Sequence, residues 1–431
     1  MAKRTSKKKK PPIESNTAKS STAKSNTAKS NTAKSNTAKS NTAKSSTAKS
    51  STAKSSTAKS STAKSNLSAA VDEVAIRKIL QRLEKLDRDI LAKCNRRVGM
   101  TKDLAELHGE VHSARLGKLR PAMDGAVHSA VERNEGPLDE VAVRSVFREL
   151  ISGCREQLVS CRVAFLGPSH SYSYLAAVER FGQSADFIPV GTIAAVFSEV
   201  EQRNADFGLV PLENSTDGRI ADTLDMFTRI SVKISSEVPL RIHHQLIGNL
   251  TRAEIRQVCS KPQALSQCRN WIAQHLPQAD VVETSSTAAA AKMAAENEQV
   301  AAVASRQAAA NFGLKIVARN IEDNPRNITR FAVIGLEPAE RTRDDKTSLL
   351  FQLPHQPGAL AGAMAVFRRG RLNLTWIESF PKPGSQNEYF FFVELQGHYE
   401  DQRVRRAVDS LKKKTERLEV LGSYPRRDPI V

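Results

Sequence analysis

Thr329, Arg330 and Phe331 are adjacent, and together they suit one kind of chemistry: the handling of a small acid that must lose a hydroxyl group. A guanidinium offers a planar fork of N–H donors to a carboxylate. A threonine hydroxyl is a poor acid, but a positioned one can hydrogen-bond to a departing oxygen. The aromatic ring reads as a wall. Asn214 and Ser215 add neutral hydrogen-bonding groups next to Glu213, and Ser286-Thr287 stand where a helix begins and its free backbone N–H groups can face an anion. Helix capping alone explains that last pair equally well. From Val163 to Asn327 there is no nucleophile set beside a base, no metal-ligand spacing and no phosphate-cradling glycine loop.

These residues must be placed by the elements around them. Arg162 to Leu166 is a β-rich run closed by Gly167-Pro168, and similar runs occur at Phe207 to Pro211, Val300 to Ala304 and Phe331 to Gly335, with helical stretches such as Ser286 to Glu296 between them. Such alternation predicts mostly parallel sheets with ligands at the carboxyl ends of the strands. Ser169 to Ser173, Glu213 to Ser215 and Thr329-Arg330 are then expected in loops that converge.

The motifs here resemble those of the prephenate dehydratase family: Val163-Ala164-Phe165-Leu166-Gly167-Pro168, Val210-Pro211-Leu212-Glu213-Asn214-Ser215, Thr223-Leu224-Asp225, Lys261-Pro262-Gln263-Ala264-Leu265 with Gln267-Cys268, Ser286-Thr287-Ala288, and Asn327-x-Thr329-Arg330-Phe331. The resemblance covers residues 161–338. It implies a two-lobed fold like the periplasmic binding proteins, with prephenate in the cleft, hinges near Pro239 and Asn320, and no cofactor. Prephenate would lose its ring carboxylate as CO2 and its C4 hydroxyl as water, giving phenylpyruvate. On this resemblance Arg330 anchors the pyruvyl carboxylate and Thr329 donates to the hydroxyl. Asn214, Ser215, Glu213, Ser171, Ser286, Thr287 and Phe331 surround the substrate. Where the family has Glu-Gly-Thr-Phe-Ser after Gly-Pro, this chain has Ser169-His170-Ser171-Tyr172-Ser173, so a positive φ at His170 would be strained. Of His243 and His244, only His244 matches the family, and a structural role is expected for it.

Residues 345–425 read as β-α-β-β-α-β: Ser348 to Leu353, Gly358 to Phe367, Asn373 to Glu378, Tyr389 to Leu395, Gln402 to Thr415 and a last strand. That order resembles an ACT domain, a small-ligand sensor that pairs side by side. Gly358-Ala359-Leu360 and Glu378-Ser379-Phe380-Pro381 match the family's two phenylalanine-binding stretches, with Phe380 where arginine is usual. L-Phenylalanine is therefore the expected allosteric effector. A dimerisation module without ligand is the alternative.

In residues 68–160, Val74, Ile76, Ile79, Leu80, Leu83, Leu86, Ile90 and Leu91 mark a long amphipathic helix running toward Arg97, with further helices after Pro121 and Gly136-Pro137. Three such helices cannot bury their faces alone, so a homodimer or higher oligomer is expected. Leu86-Asp87, Asn95-Arg96-Arg97, Gly136-Pro137-Leu138 and Phe147 to Ile151 resemble an AroQ-type chorismate mutase domain. Arg97 matches one of that family's arginines. Leu80 stands in place of another arginine, His108 of a lysine, Met123 and Asp124 of an Arg-Glu pair, and Leu158 of the terminal Gln or Glu. An apolar residue cannot hold a dianion, so the resemblance implies a mutase-like scaffold without activity.

The net charge of +19 is concentrated in residues 1–65, which hold sixteen Lys and Arg against the one acid Glu14, fifteen of the nineteen excess charges. The rest is nearly balanced and gives no argument for a nucleic-acid interface. Ten Asn/Ser-Thr-Ala-Lys-Ser repeats from Asn16 to Ser65 have a period of neither helix nor strand and little to bury, which predicts a disordered basic tail over residues 1–67. Weak, salt-sensitive polyanion binding is its sharper reading. Five cysteines without ligand spacing read as buried thiols, and no 18-residue apolar run is present, so no membrane span is expected and the cytoplasm is the expected location.

The fold class expected is thus multidomain: a disordered tail, an all-α mutase-like domain, a two-lobed α/β domain and a C-terminal βαββαβ domain. Rival readings are a bifunctional mutase and dehydratase, arogenate as substrate, and a binding protein on the same lobes without turnover.

Overall fold

The structure, a computed structural model, describes residues 61–108, 125–216, 218–342, 344–385 and 387–430. Helix α1 (Ser61–His108) is followed by a helix over 125–132 (α2) and by α3 (Glu140–Glu156), whose Asp139 cap accepts from the Ala142 N–H. The helix therefore starts inside the span assigned to the tail. Adding residues to a formed helix is far easier than nucleating one, and Ala and Lys are good helix formers. The rest of the predicted tail lies outside the described residues.

The first lobe comprises β1 (Arg162–Leu166), α4 (Tyr172–Phe181), β2 (Asp186–Val190), α5 (Ile193–Glu201), β3 (Phe207–Asn214), β4 (Gly218–Arg219), α6 (Ala221–Arg229) and β5 (Lys233–Arg241). The chain then crosses to the second lobe: β6 (Gln245–Ile247), β7 (Gln257–Ser260), α7 (Pro262–Gln267), α8 (Arg269–His275), β8 (Asp280–Glu283), α9 (Thr287–Glu296), β9 (Val300–Ala304), α10 (Arg306–Asn311) and β10 (Ile316–Ala318). It returns as β11 (Ile328–Gly335) between β3 and β5. The first sheet has the order β2-β1-β3-β11-β5 with β4 on β3, and the second β10-β6-β9-β7-β8.

Because β11 arrives from the other lobe, it runs antiparallel to both neighbours. The two crossings occupy 242–244 and 319–327, so Asn320 lies in one. The other begins just after β5, in which Pro239 itself pairs with Arg330.

The C-terminal segment is β12 (Asp345–Gln352), α11 (Ala359–Gly370), β13 (Leu374–Pro381), β14 (Tyr389–Gln396), α12 (Gln402–Lys412) and β15 (Arg417–Pro425). Its antiparallel sheet has the order β13-β14-β12-β15, the βαββαβ arrangement expected. One face packs on its own helices through Leu349, Phe351, Phe367 and Leu411. The other face enters the core of the first lobe, where Leu350, Phe380, Phe392 and Tyr424 join Ile234, Ala332 and Ile334. The strands β15 and β5 approach so closely that a Cβ on Gly422 would lie 2.0 Å from the Ile234 carbonyl oxygen.

Candidate active site

Thr329 and Arg330 belong to a strand rather than a loop, and this decides what each can do. Neighbouring side chains on a strand point to opposite faces. Thr329 lies opposite Asn214, the last residue of β3, and Arg330 opposite Glu213. The pairing skips Leu212, a bulge of the kind that re-aims side chains at a site. On one face, Asn214 Nδ2 donates to Thr329 Oγ1 at 2.8 Å, both groups being buried. Asn214 Oδ1 accepts from the Thr216 N–H at 2.8 Å, which fixes the amide. The Thr329 oxygen is held from one side, so its own proton remains available to an acceptor in front of it.

On the opposite face Arg330 is occupied. Its Nη1 lies 2.7 Å from Glu213 Oε2, and its Nη2 lies 2.6 Å from Glu394 Oε1 and 3.3 Å from Glu237 Oε2. Trp376 covers the guanidinium at 5.2 Å. Burial would discourage the charge, but Glu394, Glu237 and Glu213 outweigh it and hold the guanidinium more firmly protonated than an ordinary arginine. The expected roles of Arg330 and Glu213 at the substrate are therefore corrected: both face the C-terminal domain, away from Thr329. The reading that placed them in loops allowed convergence; the strand geometry forbids it.

Ser215 is also engaged. Its Oγ accepts from the Ile328 N–H at 2.9 Å and its own N–H donates to the Ile328 carbonyl at 2.8 Å, so it clasps the end of β3 to the start of β11 rather than presenting a free hydroxyl. Phe331 is buried with Phe165, Val163 and Leu240, under the Thr329 face. Ser171 caps α4, accepting from the Tyr174 N–H, and Ser286 caps α9, accepting from the Ala289 N–H with Thr287 buried behind it. His170 does take a positive φ, 66°, with its ring against Tyr174 and Phe312, the latter from the second lobe. The strain anticipated from the missing glycine is thus present.

A chain of polar side chains at the lobe crossings was not predicted. Tyr172 Oη lies 3.0 Å from His244 Nδ1 and donates to the His243 carbonyl at 2.9 Å. His244 Nε2 meets Gln267 Oε1 at 3.0 Å, and Asn327 Nδ2 donates to the same oxygen at 3.0 Å. Asn327 Oδ1 in turn accepts from Thr216 Oγ1. Burial above all lowers the His244 pKa and keeps the ring neutral, and burial raises the Tyr172 hydroxyl well above its usual value. A neutral His244 protonated on Nε2 donates to Gln267 Oε1 and leaves Nδ1 as an acceptor, so the single proton of the Tyr172 hydroxyl is shared between Nδ1 and the His243 carbonyl. Glu322 joins both crossings, 2.6 Å from His243 Nδ1 and accepting from the His244 N–H at 2.9 Å. Gln267, the last residue of α7, and Asn327, just before β11, both stood inside the sequence motifs, and their amides were the signal available.

In the C-terminal domain Gly358 begins α11 with φ 79°, a conformation that favours glycine. Glu378 faces the first lobe and pairs with Arg219 at 3.1 Å, while Ser379 lies on the exposed face. Phe380 is buried in the shared core, so the missing arginine is replaced by packing. Ala359 and Leu360 form the first turn of α11. In α1, Arg97 Nη1 is buried without a hydrogen-bond partner among the described residues, and Leu80 is exposed. Met123 and Asp124, and the side chain of His108, lie outside them. No group of three or more His, Cys, Asp or Glu suited to a metal occurs among the described residues, and no described helix is long and apolar enough to cross a membrane.

The fold and site define a two-lobed α/β protein, its lobes joined by two chain crossings, with a buried hydroxyl–amide pair where the lobes join, fused to a small βαββαβ segment. The family model for prephenate dehydratase matches residues 163–339. A bifunctional chorismate mutase/prephenate dehydratase of Aquifex aeolicus is 39% identical over 81% of this chain and 98% of its own length. Among solved structures, prephenate dehydratase from Arthrobacter aurescens in complex with L-Phe is 34% identical with TM-score 0.58, over 63% of this chain and 92% of that one. GqqA, described as a novel type of quorum quenching acylase, is 33% identical with TM-score 0.56, over 62% and 98%. The chain belongs to the prephenate dehydratase family.

Proposed function

We propose that this protein converts prephenate to phenylpyruvate, with the loss of carbon dioxide and water. The observation that carries the reading is the buried Asn214–Thr329 hydrogen bond at the junction of the lobes. An amide that holds a hydroxyl by its oxygen leaves the O–H free to hydrogen-bond to the C4 oxygen of the substrate; as the ring carboxylate departs as CO2 its bonding electrons complete the aromatic ring, the C4–O bond breaks, and the leaving hydroxide takes a proton from the medium to depart as water. With Arg330 turned away, carboxylate recognition falls to the start of α9, where Ser286, Thr287 and the first backbone N–H groups stand, and to Ser171 beside the His170 turn. Supplying prephenate to the full chain and measuring phenylpyruvate tests this. Absence of product above the spontaneous rate sinks it.

The C-terminal domain is an ACT domain in this reading and binds L-phenylalanine at Gly358, Ala359, Leu360, Glu378 and Ser379, so that the product's amino acid lowers turnover. The relative crystallised with L-Phe supports this. The helical segment associates with a second copy through α1 and acts as a scaffold, although the bifunctional relative aligns across it. Phenylpyruvate formed from chorismate alone would show a working mutase and overturn that part.

A further inference from the structure

We propose that Glu394, a side chain of the C-terminal domain, is a positioning residue of the dehydratase site and acts through Arg330. This rests on the reading of Thr329 given above and deepens it. On one face of the β3–β11 pair lies the Asn214–Thr329 hydrogen bond; on the other, directly beneath it, lies the Glu213–Arg330 ion pair. Each member of the upper pair is the chain neighbour of a member of the lower pair. A strand cannot turn one side chain without turning the next, so whatever holds Arg330 and Glu213 also sets the distance between Asn214 and Thr329.

What holds them comes largely from the other domain. Glu394, on β14 and 1% exposed, takes Arg330 Nη2 on both oxygens, at 2.6 and 2.8 Å. Lys346, on β12, bridges Glu394 at 3.0 Å and Glu237 at 2.5 Å. Tyr424 Oη donates to Glu394 Oε1 at 3.0 Å, and Ser348 Oγ shares a 2.7 Å hydrogen bond with that phenol. Burial alone would raise the Glu394 pKa, yet Arg330 and Lys346 bring it below the ordinary carboxylate value, so it is ionised in place.

Charges so deeply buried are retained at a desolvation cost, and breaking one pair leaves its partner uncompensated. The first lobe thus relies on the C-terminal domain to complete its catalytic strand. The same junction touches the proposed effector stretch twice. Trp376, two residues before Glu378 on β13, covers Arg330, and Glu378 pairs with Arg219, whose register partner is Glu213. A ligand that moves β13 therefore acts on both members of the lower pair.

The test is Glu394→Gln in the full chain beside wild type, with prephenate turnover, phenylalanine response, bound phenylalanine by calorimetry and thermal unfolding measured on both. The amide keeps the shape and one acceptor but removes the charge. We expect kcat to fall about tenfold to a hundredfold with KM little changed, as for a catalytic group displaced by a fraction of an ångström. Phenylalanine should still bind while inhibiting several-fold less, and Glu394→Asp should restore part of both. A purely structural role would lower thermal stability and leave kcat and the inhibition of the folded fraction as in wild type, and that result overturns the proposal. If Glu394→Gln does not fold, Tyr424→Phe, which removes one hydrogen bond to Glu394, decides: a kcat lowered about two- to fivefold at constant KM supports the proposal, and an unchanged kcat overturns it. Wild type without turnover sinks the dehydratase reading and this inference with it, whereas active wild type with an equally active, equally inhibited variant sinks the inference alone.

Discussion

Helix α1 and the junction between the first lobe and the C-terminal domain invert each other. In α1, Ile79, Leu80, Leu83, Leu86, Ile90 and Leu91 are each half or more exposed. At the junction, Lys346, Glu237 and Glu394 are buried and Arg330 is largely so. Apolar groups in water and charges out of it are both unfavourable alone, and each implies a partner. The junction has its partner within the chain, already in place. Those six side chains of α1 do not, among the described residues, although Ala105 near its end packs with Ile151 of α3. On the proposed function, regulation through the junction acts within one chain, whereas the proposed pairing of α1 needs a second.

The sharpest way to break the junction is at the face it supports. Thr329→Ala removes the hydroxyl and with it the hydrogen bond it accepts from Asn214 Nδ2. We expect kcat for prephenate to fall by about a hundred- to ten-thousandfold, the range for loss of a positioned proton donor, with KM within a few-fold. Steady-state kinetics check both numbers, and a variant within threefold of wild type would remove Thr329 from the mechanism. Next in size is Gly422→Ala. The added methyl meets the Ile234 carbonyl oxygen at 2.0 Å, so β15 and β5 must part. Overpacking of this kind costs about 1–3 kcal/mol. Calorimetry should show a lower Tm, and, since Glu394 moves with the domain, kcat should fall with it. Unaltered stability would mean that the two strands separate freely.

How much of this was legible beforehand depended on whether a residue's role is local. The strands, the helix start at Ser286 and the βαββαβ order follow from hydrophobic runs and turn residues, which act over a few positions, whereas Ser171, expected at the substrate, caps α4. His170 could be flagged because a glycine position implies a backbone angle. The orientation of Arg330 could not. Its neighbour Thr329 has the same pattern whether the pair lies in a loop or a strand, and the carboxylates that hold Arg330 lie 117, 93 and 64 residues away in sequence. The Tyr172–His244–Gln267–Asn327 chain was hidden for the same reason: each residue stood in or beside a motif, but nothing in the spacing says that they touch until two crossings bring them together.

The helical side of the comparison is sharpened by Leu83→Glu with Ile90→Glu. If a second copy covers α1, two carboxylates placed in its seam should dissociate the oligomer, since burying each leucine or isoleucine contributes about 1.5–3 kcal/mol and a buried charge opposes it. Sedimentation velocity reads the outcome. Turnover of prephenate should persist, because the junction lies in one chain. A variant that stays associated, or one that loses activity with dissociation, contradicts the separation of the two roles.

The smallest effect tests whether the lobe crossings behave as a buried network. Folding lowers the His244 pKa, chiefly through burial, with Gln267 and Glu322 opposing. In the unfolded chain the ring takes a proton near pH 6.5, a value typical of histidine. Above that pH both states are neutral and the stability is complete. As pH falls below about 6.5 the unfolded chain gains a proton that the folded ring resists, so stability declines, by at most about 1.4 kcal/mol per pH unit from this group. Urea denaturation of wild type and His244→Gln between about pH 5 and 8 isolates the contribution. The variant should be less stable at the upper end, having lost the link from Tyr172 to Gln267, and should show a shallower decline toward acid. Parallel curves would mean that His244 is not held neutral, and the crossings would then lack the rigid polar chain that fixes Asn327 beside Thr216.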